Sequence, residues 1–135
     1  MKKTFCFTLM IVFIIAFYSC SKPKGDWPDN IGLSTKVVEF NAQSDSVTIT
    51  TFGSSWWIGD VSVNSDWYYN FNLEVNLETD SYIIKHDCFT VERRDKHKLL
   101  IKVDENPLNI QRIITVGLQA GDYFDRVTIT QKPKL

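Results

Sequence analysis

Aromatic residues cluster in the middle of the chain and are its best candidates for chemistry. They are Trp56, Trp57, Trp67, Tyr68, Tyr69 and Phe71. Aromatic rings stack on the apolar face of a pyranose ring, and nearby Asn and Asp side chains can hydrogen-bond its hydroxyl groups. The first five of these residues are therefore our candidate ligand-binding residues for a glycan. Core packing is the alternative for about half of the set, because β-sandwiches commonly bury a tryptophan between their sheets.

The spacing of these aromatic residues decides which of them can share a surface. Successive side chains of a β-strand point to opposite faces of the sheet. Trp56 and Trp57 therefore cannot both be core residues unless a bulge intervenes, and we expect one of them to meet water. The same alternation separates Trp67 and Tyr69 from Tyr68.

Catalytic and metal-binding chemistry finds little support in the sequence. His86 and His97 have ten residues between them and no cysteine, histidine or paired carboxylate at ligand spacing. The chain contains no glycine-rich phosphate loop and no Gly-x-Ser-x-Gly elbow. The 16 acidic residues offer many carboxylate pairs, but they lie mostly in predicted turns, as at residues 104–106 and Asp122. We expect no enzyme, no catalytic residue, no metal and no cofactor, and we expect both histidines at the surface.

The charge balance argues against a nucleic-acid partner. The formal net charge is −1, and without Lys2 and Lys3 the chain keeps 13 basic residues against 16 acidic ones. A protein that follows phosphates clusters its basic residues on one face. Here the basic run is interleaved with acids and predicts a solvated hairpin tip; it comprises Glu92, Arg93, Arg94, Asp95, Lys96 and Lys98.

The N-terminal residues have the organisation of an export signal. Lys2 and Lys3 precede an apolar stretch at residues 5–18, which is shorter than the ~20 residues that span a bilayer. The small Ser19 stands directly before Cys20. This segment resembles a bacterial lipoprotein signal peptide, although Phe17 and Tyr18 replace the usual leucine and small residue, as in the relaxed motifs of Bacteroidetes.

The resemblance implies a signal peptide at residues 1–19, lipidation of Cys20 and a membrane partner reached through the lipid anchor. Residues 20–30 then form a short lipidated tether, polar and interrupted by two prolines and a glycine. The alternatives are an ordinary secreted protein cleaved nearby and an N-terminal membrane anchor that is never cleaved. Cys6 belongs to the leader, so Cys88 has no partner; we expect no disulfide and a buried structural thiol.

Beyond Asn30 the apolar residues alternate with polar ones at period two, and no window of helical length carries an amphipathic stripe. Residues 31–135 therefore predict an all-β, antiparallel, immunoglobulin-like β-sandwich of about seven or eight strands, with negligible helix. We expect a first turn at residues 43–45, a kink or bulge near Gly59, and two C-terminal hairpins. We also expect a long strand from Trp67 through Leu73 and Val75 to Leu77.

The C-terminal part of the body resembles a known family. Asn106 ends one strand, Arg112 opens the next, and the closing strand at residues 127–131 ends in Gln131. With Phe40 and the tryptophan pair upstream, residues 33–133 resemble the BACON domain, a Bacteroidetes-associated module often found before carbohydrate-active enzymes. The resemblance implies an immunoglobulin-like fold and a setting in glycan use, whereas residues 65–80 depart from the family pattern.

Two functional hypotheses follow. The leading one is a non-catalytic, lipid-anchored cell-envelope module of the outer membrane that binds a polysaccharide or assists a glycan-utilisation system. The alternative is a structural spacer, or a docking module for an envelope protein complex, that binds no carbohydrate. A row of exposed aromatic side chains beside Asn and Asp favours the first, and a flat apolar patch favours the second. The periplasmic and cell-surface faces of the membrane stay open.

Overall fold

The computed structural model describes residues 28–134. The predicted signal peptide, Cys20 and most of the tether lie outside these residues. The described chain forms nine strands: β1 (Val37–Phe40), β2 (Asp45–Thr50), β3 (Trp57–Val63), β4 (Asp66–Tyr68), β5 (Tyr82–His86), β6 (Phe89–Arg94), β7 (Lys98–Val103), β8 (Arg112–Ala120) and β9 (Tyr123–Gln131). A 3₁₀ helix at Phe71–Leu73 lies between β4 and β5. Within residues 28–134 no helix has the length and hydrophobicity of a membrane span.

The strands form two sheets. The five-stranded sheet has the order β1-β9-β8-β3-β4, and the four-stranded sheet has the order β2-β7-β6-β5. All neighbouring strands are antiparallel except β1 and β9, which are parallel. The predicted all-β sandwich is confirmed, with nine strands where about seven or eight were expected.

The core lies between the sheets because alternate residues of each strand point inward. Val61, Val116 and Val127 stand side by side across β3, β8 and β9, and all three are fully buried. Val91 and Ile101 form the matching pair on the four-stranded sheet. Each such side chain contributes about 1.5–3 kcal/mol when it leaves water, so this double layer is the main source of stability.

A bulge in β3 confirms the predicted irregularity near Gly59. The register of β3 against β8 shifts between Ile58 and Asp60. The backbone N–H of Ile58 donates a hydrogen bond to the hydroxyl of Tyr82 on the other sheet, at 2.9 Å and in a buried position. The bulge therefore produces a direct polar link between the two sheets.

The chain between β4 and β5 departs from the prediction. The long strand expected from Trp67 to Leu77 is wrong, because β4 ends at Tyr68. Asn70 has φ +64°, a left-handed conformation that cannot continue a strand. Phe71 then packs into the core, with Val75 and Leu77 half-buried against it, so their alternation reflects contact with the core without strand pairing.

The first turn, predicted at residues 43–45, connects the two sheets. The chain between β1 and β2 occupies residues 41–44, and β1 pairs with β9 whereas β2 pairs with β7. β1 and β2 therefore belong to different sheets, and the turn carries the chain from one sheet to the other. A period-two pattern marks the strands without identifying their partners.

One end of the sandwich is closed by buried polar side chains. Arg112 donates to Gln131 Oε1 and to the carbonyl of Asp104, each at 3.1 Å. The Gln131 amide donates to three backbone carbonyls, those of residues 42, 43 and 104. Asn106 is fully buried and donates to the carbonyls of Ile110 and Lys132, at 2.8 and 3.1 Å. Three residues that carry the family resemblance thus bind the loops at this end together, and Asn106 is more than a turn former.

We expect Asn106→Ala to lower the free energy of unfolding by about 2–4 kcal/mol, because each buried carbonyl that loses its donor costs about 1–3 kcal/mol. Urea denaturation followed by tryptophan fluorescence measures this difference. Asn109→Ala, an exposed asparagine three positions along the same loop, is the matched control and should stay within about 0.5 kcal/mol of wild type. Equal stability of the two variants would contradict a structural role for Asn106.

Candidate functional site

Trp56 is a core residue. It is 1% exposed, and its indole Nε1 donates to Thr51 Oγ1 at 3.0 Å and to the carbonyl of Gly53 at 3.1 Å. The guanidinium carbon of Arg93 lies 4.9 Å from the centre of the indole ring. The ring of Trp56 therefore packs in the core and presents no free face on which a sugar could stack.

Trp57 is on the opposite face, as strand alternation predicts. It is the first residue of β3 and stands beside Gln119 of β8 on the outer face of the five-stranded sheet. Its side chain is half-exposed. The expectation that one of the two adjacent tryptophans meets water is confirmed.

The other three predicted residues are dispersed. Trp67 is 54% exposed and lies on the same outer face as Trp57, further along the sheet by its pairing with Ser62. Tyr68 is half-buried between the sheets, with its ring centre 4.2 Å from that of His86 and 5.5 Å from that of Phe89. Tyr69 is exposed in the loop after β4. The five predicted residues do not form one continuous strip.

Trp57 lines a groove at the end of the sandwich where the β6–β7 turn lies. The groove has a volume of about 290 Å³. We call it the end groove, and its other lining residues are Ser54, Ser55, Trp56, Leu77, Glu78, Asp80, Arg93 and Lys96. They come from the β2–β3 loop, the β4–β5 loop and the β6–β7 hairpin. A half-exposed indole is thus surrounded by hydroxyl, carboxylate and ammonium groups.

Arg93 holds the two loops of the end groove together. It is 4% exposed, which corrects the expectation that it belongs to a solvated hairpin tip. The alternation of β6 turns Arg93 inward after Phe89 and Val91, while Arg94, Lys96 and Lys98 are exposed as expected. Its guanidinium donates to the carbonyl of Thr79 at 2.8 Å and to the carbonyl of Ser54. The groove therefore has a fixed floor.

The charged rim of the end groove is open to solvent. Lys96 and Asp80 form an exposed ion pair at 3.3 Å, which is worth little energetically but places an ammonium and a carboxylate at the mouth. Glu78 is exposed beside them, and its backbone N–H donates to Asn76 Oδ1. Acidic and basic groups are balanced, so this rim offers hydrogen bonds of both kinds without a strong net field.

A second feature lies at the centre of the outer face of the five-stranded sheet. Asp60 follows the bulge of β3, and its carboxylate occupies the space that a Cβ at Gly117 would need. Asp60 Oδ1 is buried and accepts no hydrogen bond from the described residues. Burial raises the pKa of the Asp60 carboxyl above its ordinary value, and the positive charge of Arg126 partly opposes that rise.

Two residues of this face, Phe124 and Asp60, are not among the candidates that the sequence indicated. Phe124 is 64% exposed and stands beside Gln119, two strands away from Trp57. The kink predicted near Gly59 gave no indication that the neighbouring Asp60 is half-buried. Phe124 lies an odd number of residues before the buried Val127 and Ile129 of β9. Strand alternation therefore predicts that its side chain points outward, and this signal is present in the sequence.

The remaining reactive side chains are isolated. His86 and His97 are exposed, as predicted. Cys88, expected to be buried, is half-buried at the β5–β6 turn and is bonded to no other cysteine of residues 28–134; burial raises the pKa of its thiol, which favours the protonated form. Residues 28–134 hold no group of three or more side chains that could bind a metal ion.

Comparison with known proteins supports the fold. No family model and no curated protein matches the chain. A protein from Bacteroides thetaiotaomicron solved by NMR has a similar structure, with a TM-score of 0.63 and 21% identity over 84% of this chain and 95% of the other. A Bacteroides ovatus GH5 xyloglucanase, solved in complex with a XXXG heptasaccharide, matches at a TM-score of 0.47 and 18% identity, over 77% of this chain and 18% of its own.

We expect Asp60→Asn to stabilise the fold at pH 7. A carboxyl whose pKa is raised in the folded state destabilises that state once it is ionised, so stability falls as pH rises from the ordinary value of 3.8 through the raised pKa. The advantage of Asp60→Asn over wild type should vanish below that window, where both side chains are neutral. Urea denaturation of dilute protein at a series of pH values measures the difference in the free energy of unfolding between Asp60→Asn and wild type. Asp122→Asn, in the exposed β8–β9 turn, should keep the wild-type profile; an unchanged profile for Asp60→Asn would contradict the prediction.

Proposed function

We propose that this protein is a non-catalytic, lipid-anchored module of the cell envelope that binds a glycan in the end groove. The observation that carries the proposal is the half-exposed indole of Trp57 inside a groove otherwise lined mainly by hydrogen-bonding side chains. An apolar ring face beside several polar groups is the combination that a sugar ring requires.

The composition of the end groove suits the two faces of a pyranose. Trp57 and Leu77 supply apolar surface, and Ser54, Ser55 and Glu78 supply donors and acceptors for hydroxyl groups. Its volume of about 290 Å³ lies at the small end of ligand pockets, which run from about 300 to 1,000 Å³. The groove therefore suits a short segment or the end of a glycan chain. Arg93 already holds the two loops of the groove together, so little conformational entropy of these loops would be lost on binding.

The cellular setting in the proposal comes from sequence. The signal-peptide-like leader and Cys20 support an outer-membrane lipoprotein, and two or more acyl chains suffice for stable anchoring. The resemblance of residues 106–133 to the BACON domain supports a role beside carbohydrate-active enzymes. The tether between Cys20 and the first described residues would keep the end groove near the membrane surface.

A second function is favoured by a different observation. The outer face of the five-stranded sheet exposes four large apolar side chains, which are Val37, Trp67, Ile113 and Phe124. Exposed apolar groups on one flat face are typical of protein interaction surfaces. Docking to another protein is therefore the alternative proposal, and it needs no glycan.

We expect Trp57→Ala to weaken glycan binding at least about tenfold, a loss of about 1.4 kcal/mol, because the apolar wall of the groove is removed. The measurement is isothermal titration calorimetry against a panel of soluble plant and host polysaccharides, because its signal does not depend on the tryptophan that is removed. Trp67→Ala is the matched control, since it removes a more exposed tryptophan from the same sheet face outside the end groove. It should bind within about twofold of wild type.

Three results would decide between the proposals. Loss of binding in Trp57→Ala alone, with the fold intact by circular dichroism, supports the end groove. Loss in Trp67→Ala alone moves the glycan site to the outer face of the sheet. No response of wild type to any polysaccharide removes glycan binding and leaves the docking function.

We expect Cys20→Ala to abolish the incorporation of lipid, because the substitution removes the atom that carries it. Metabolic labelling of cells with a fatty-acid probe measures this loss. Cys88→Ala is the control and should stay labelled. Labelling that survives Cys20→Ala would contradict lipidation at this residue.

A further inference from the structure

The outer face of the five-stranded sheet has an unusual arrangement of charges and apolar groups. Its central row crosses three strands as Asp60 on β3, Gly117 on β8 and Arg126 on β9. Asp60 and Arg126 are therefore about 10 Å apart along the backbone row, one on each side of β8. Gly117 leaves no side chain of its own between them.

The two neighbouring rows, one on each side of the Asp60–Gly117–Arg126 row, also place matching residues on the two sides of β8. One row places Trp57 on β3 and Phe124 on β9, with Gln119 between them. The row on the other side of Gly117 runs from Trp67 through Ser62, Thr115 and Thr128 to Val37. In each row, residues on strands equally far from β8 are chemically complementary: acid and base, two aromatic rings, two hydroxyls, and two exposed apolar groups.

We propose that this face is the interface of a homodimer whose twofold axis runs along β8. Such an axis exchanges the two sides of β8, so that Asp60 of each copy meets Arg126 of the other. The interface therefore contains two equivalent Asp60–Arg126 contacts. Trp57 then faces Phe124 of the second copy, and Trp67 faces Val37. The proposal does not rest on glycan binding.

The central row explains why two such faces can approach closely. Gly117 and the flat Asp60 carboxylate leave the middle of the sheet low. Asp60 Oδ1 is closed off within its own chain, but the residue as a whole is only half-buried, so a second copy can approach the open side of the carboxylate. A hydrogen bond between a carboxylate and a guanidinium is roughly twice as strong as one between neutral groups, so Arg126 of the second copy would stabilise the ionised Asp60.

The other outer face provides the contrast. The four-stranded sheet presents four basic residues to solvent, which are Lys85, Arg94, Lys98 and Lys102, with Glu92 half-buried beside Arg94 and Ile83 as its exposed apolar residue. Only the five-stranded sheet, within the described residues, combines exposed aromatic rings with a self-complementary charge row. The second copy is therefore the occupant that the charges of this face fit.

The available area is modest. The five strands hold 4, 9, 9, 7 and 3 residues, which at ~3.4 Å per residue and ~4.8 Å between strands give a footprint of roughly 520 Å². This footprint is smaller than the ~800 Å² per partner of a standard interface. The contact would be of modest size, so we expect a dimer whose dissociation depends on concentration.

The dimer predicts a specific pattern of charge reversals. Arg126→Asp sets two acids against each other and Asp60→Lys sets two bases against each other, so each variant alone should be monomeric. Mixing the two variants should restore a dimer. The lysine introduced in one copy then faces the aspartate introduced in the other, and the remaining Arg126 faces the remaining Asp60. Lys102→Asp, an equal charge reversal on the four-stranded sheet, is the control and should stay dimeric.

The measurement is the molar mass of the protein component, obtained by light scattering of the full chain in detergent over a range of concentrations up to about 100 μM, with circular dichroism to check each fold. Phe124→Asp provides a second disruption at an exposed position if Asp60→Lys does not fold. A wild-type monomer at every concentration overturns the proposal. Charge variants that stay dimeric overturn it too, as does a mixture of two folded single variants that stays monomeric.

Discussion

The contact between Arg93 and Trp56 holds the end of the sandwich that carries the candidate site. The guanidinium lies over the indole and donates to carbonyls of both neighbouring loops, at Ser54 and Thr79. A buried guanidinium needs such hydrogen-bond acceptors. Without them, the free-energy cost of removing its charge from water would exceed the free energy gained by packing. With Trp56 directed inward by this contact, strand alternation directs Trp57 outward into the end groove. The site is therefore a consequence of how the core is closed.

The opposite end is closed by the same physical means with different residues. Side chains there donate hydrogen bonds to backbone carbonyls of loops and strand ends, which have no partner in the sheets. The donors are Arg112, Gln131 and Asn106. A sandwich has no strand pairing across its open ends, so buried backbone groups there depend on side chains. Because the two arginines occupy inward positions of strands, each is a core residue despite its charge.

The two outer faces of the sandwich differ in kind, and this difference separates the functional hypotheses. The four-stranded sheet is solvated by charged residues, whereas the five-stranded sheet exposes Trp67 and Phe124 around a half-buried aspartate. Glycan capture uses the end groove, and association of copies uses the flat face. Trp57 lies where these surfaces meet, so in a dimer Phe124 of the second copy would stand near the mouth of the groove.

Strand alternation made the class of fold and several residue environments predictable from the sequence. It separated Trp56 from Trp57 and Tyr68 from its neighbours, because the two faces of a strand follow from covalent geometry alone. It also marked the two C-terminal hairpins and the bulge near Gly59. The same rule failed at residues 69–77, where the left-handed Asn70 ended the strand and a packed loop reproduced the alternating pattern.

What the sequence alone determined about this protein is local: which residues are strands, which turns reverse the chain, and which adjacent side chains point to opposite faces. Only the tertiary structure decided which strands are neighbours, that Arg93 is buried, and that Trp57 shares a groove with Glu78 and Lys96. These outcomes depend on contacts between residues far apart in the chain. Alternation is a property of one strand, whereas burial and site geometry are properties of the packing of several.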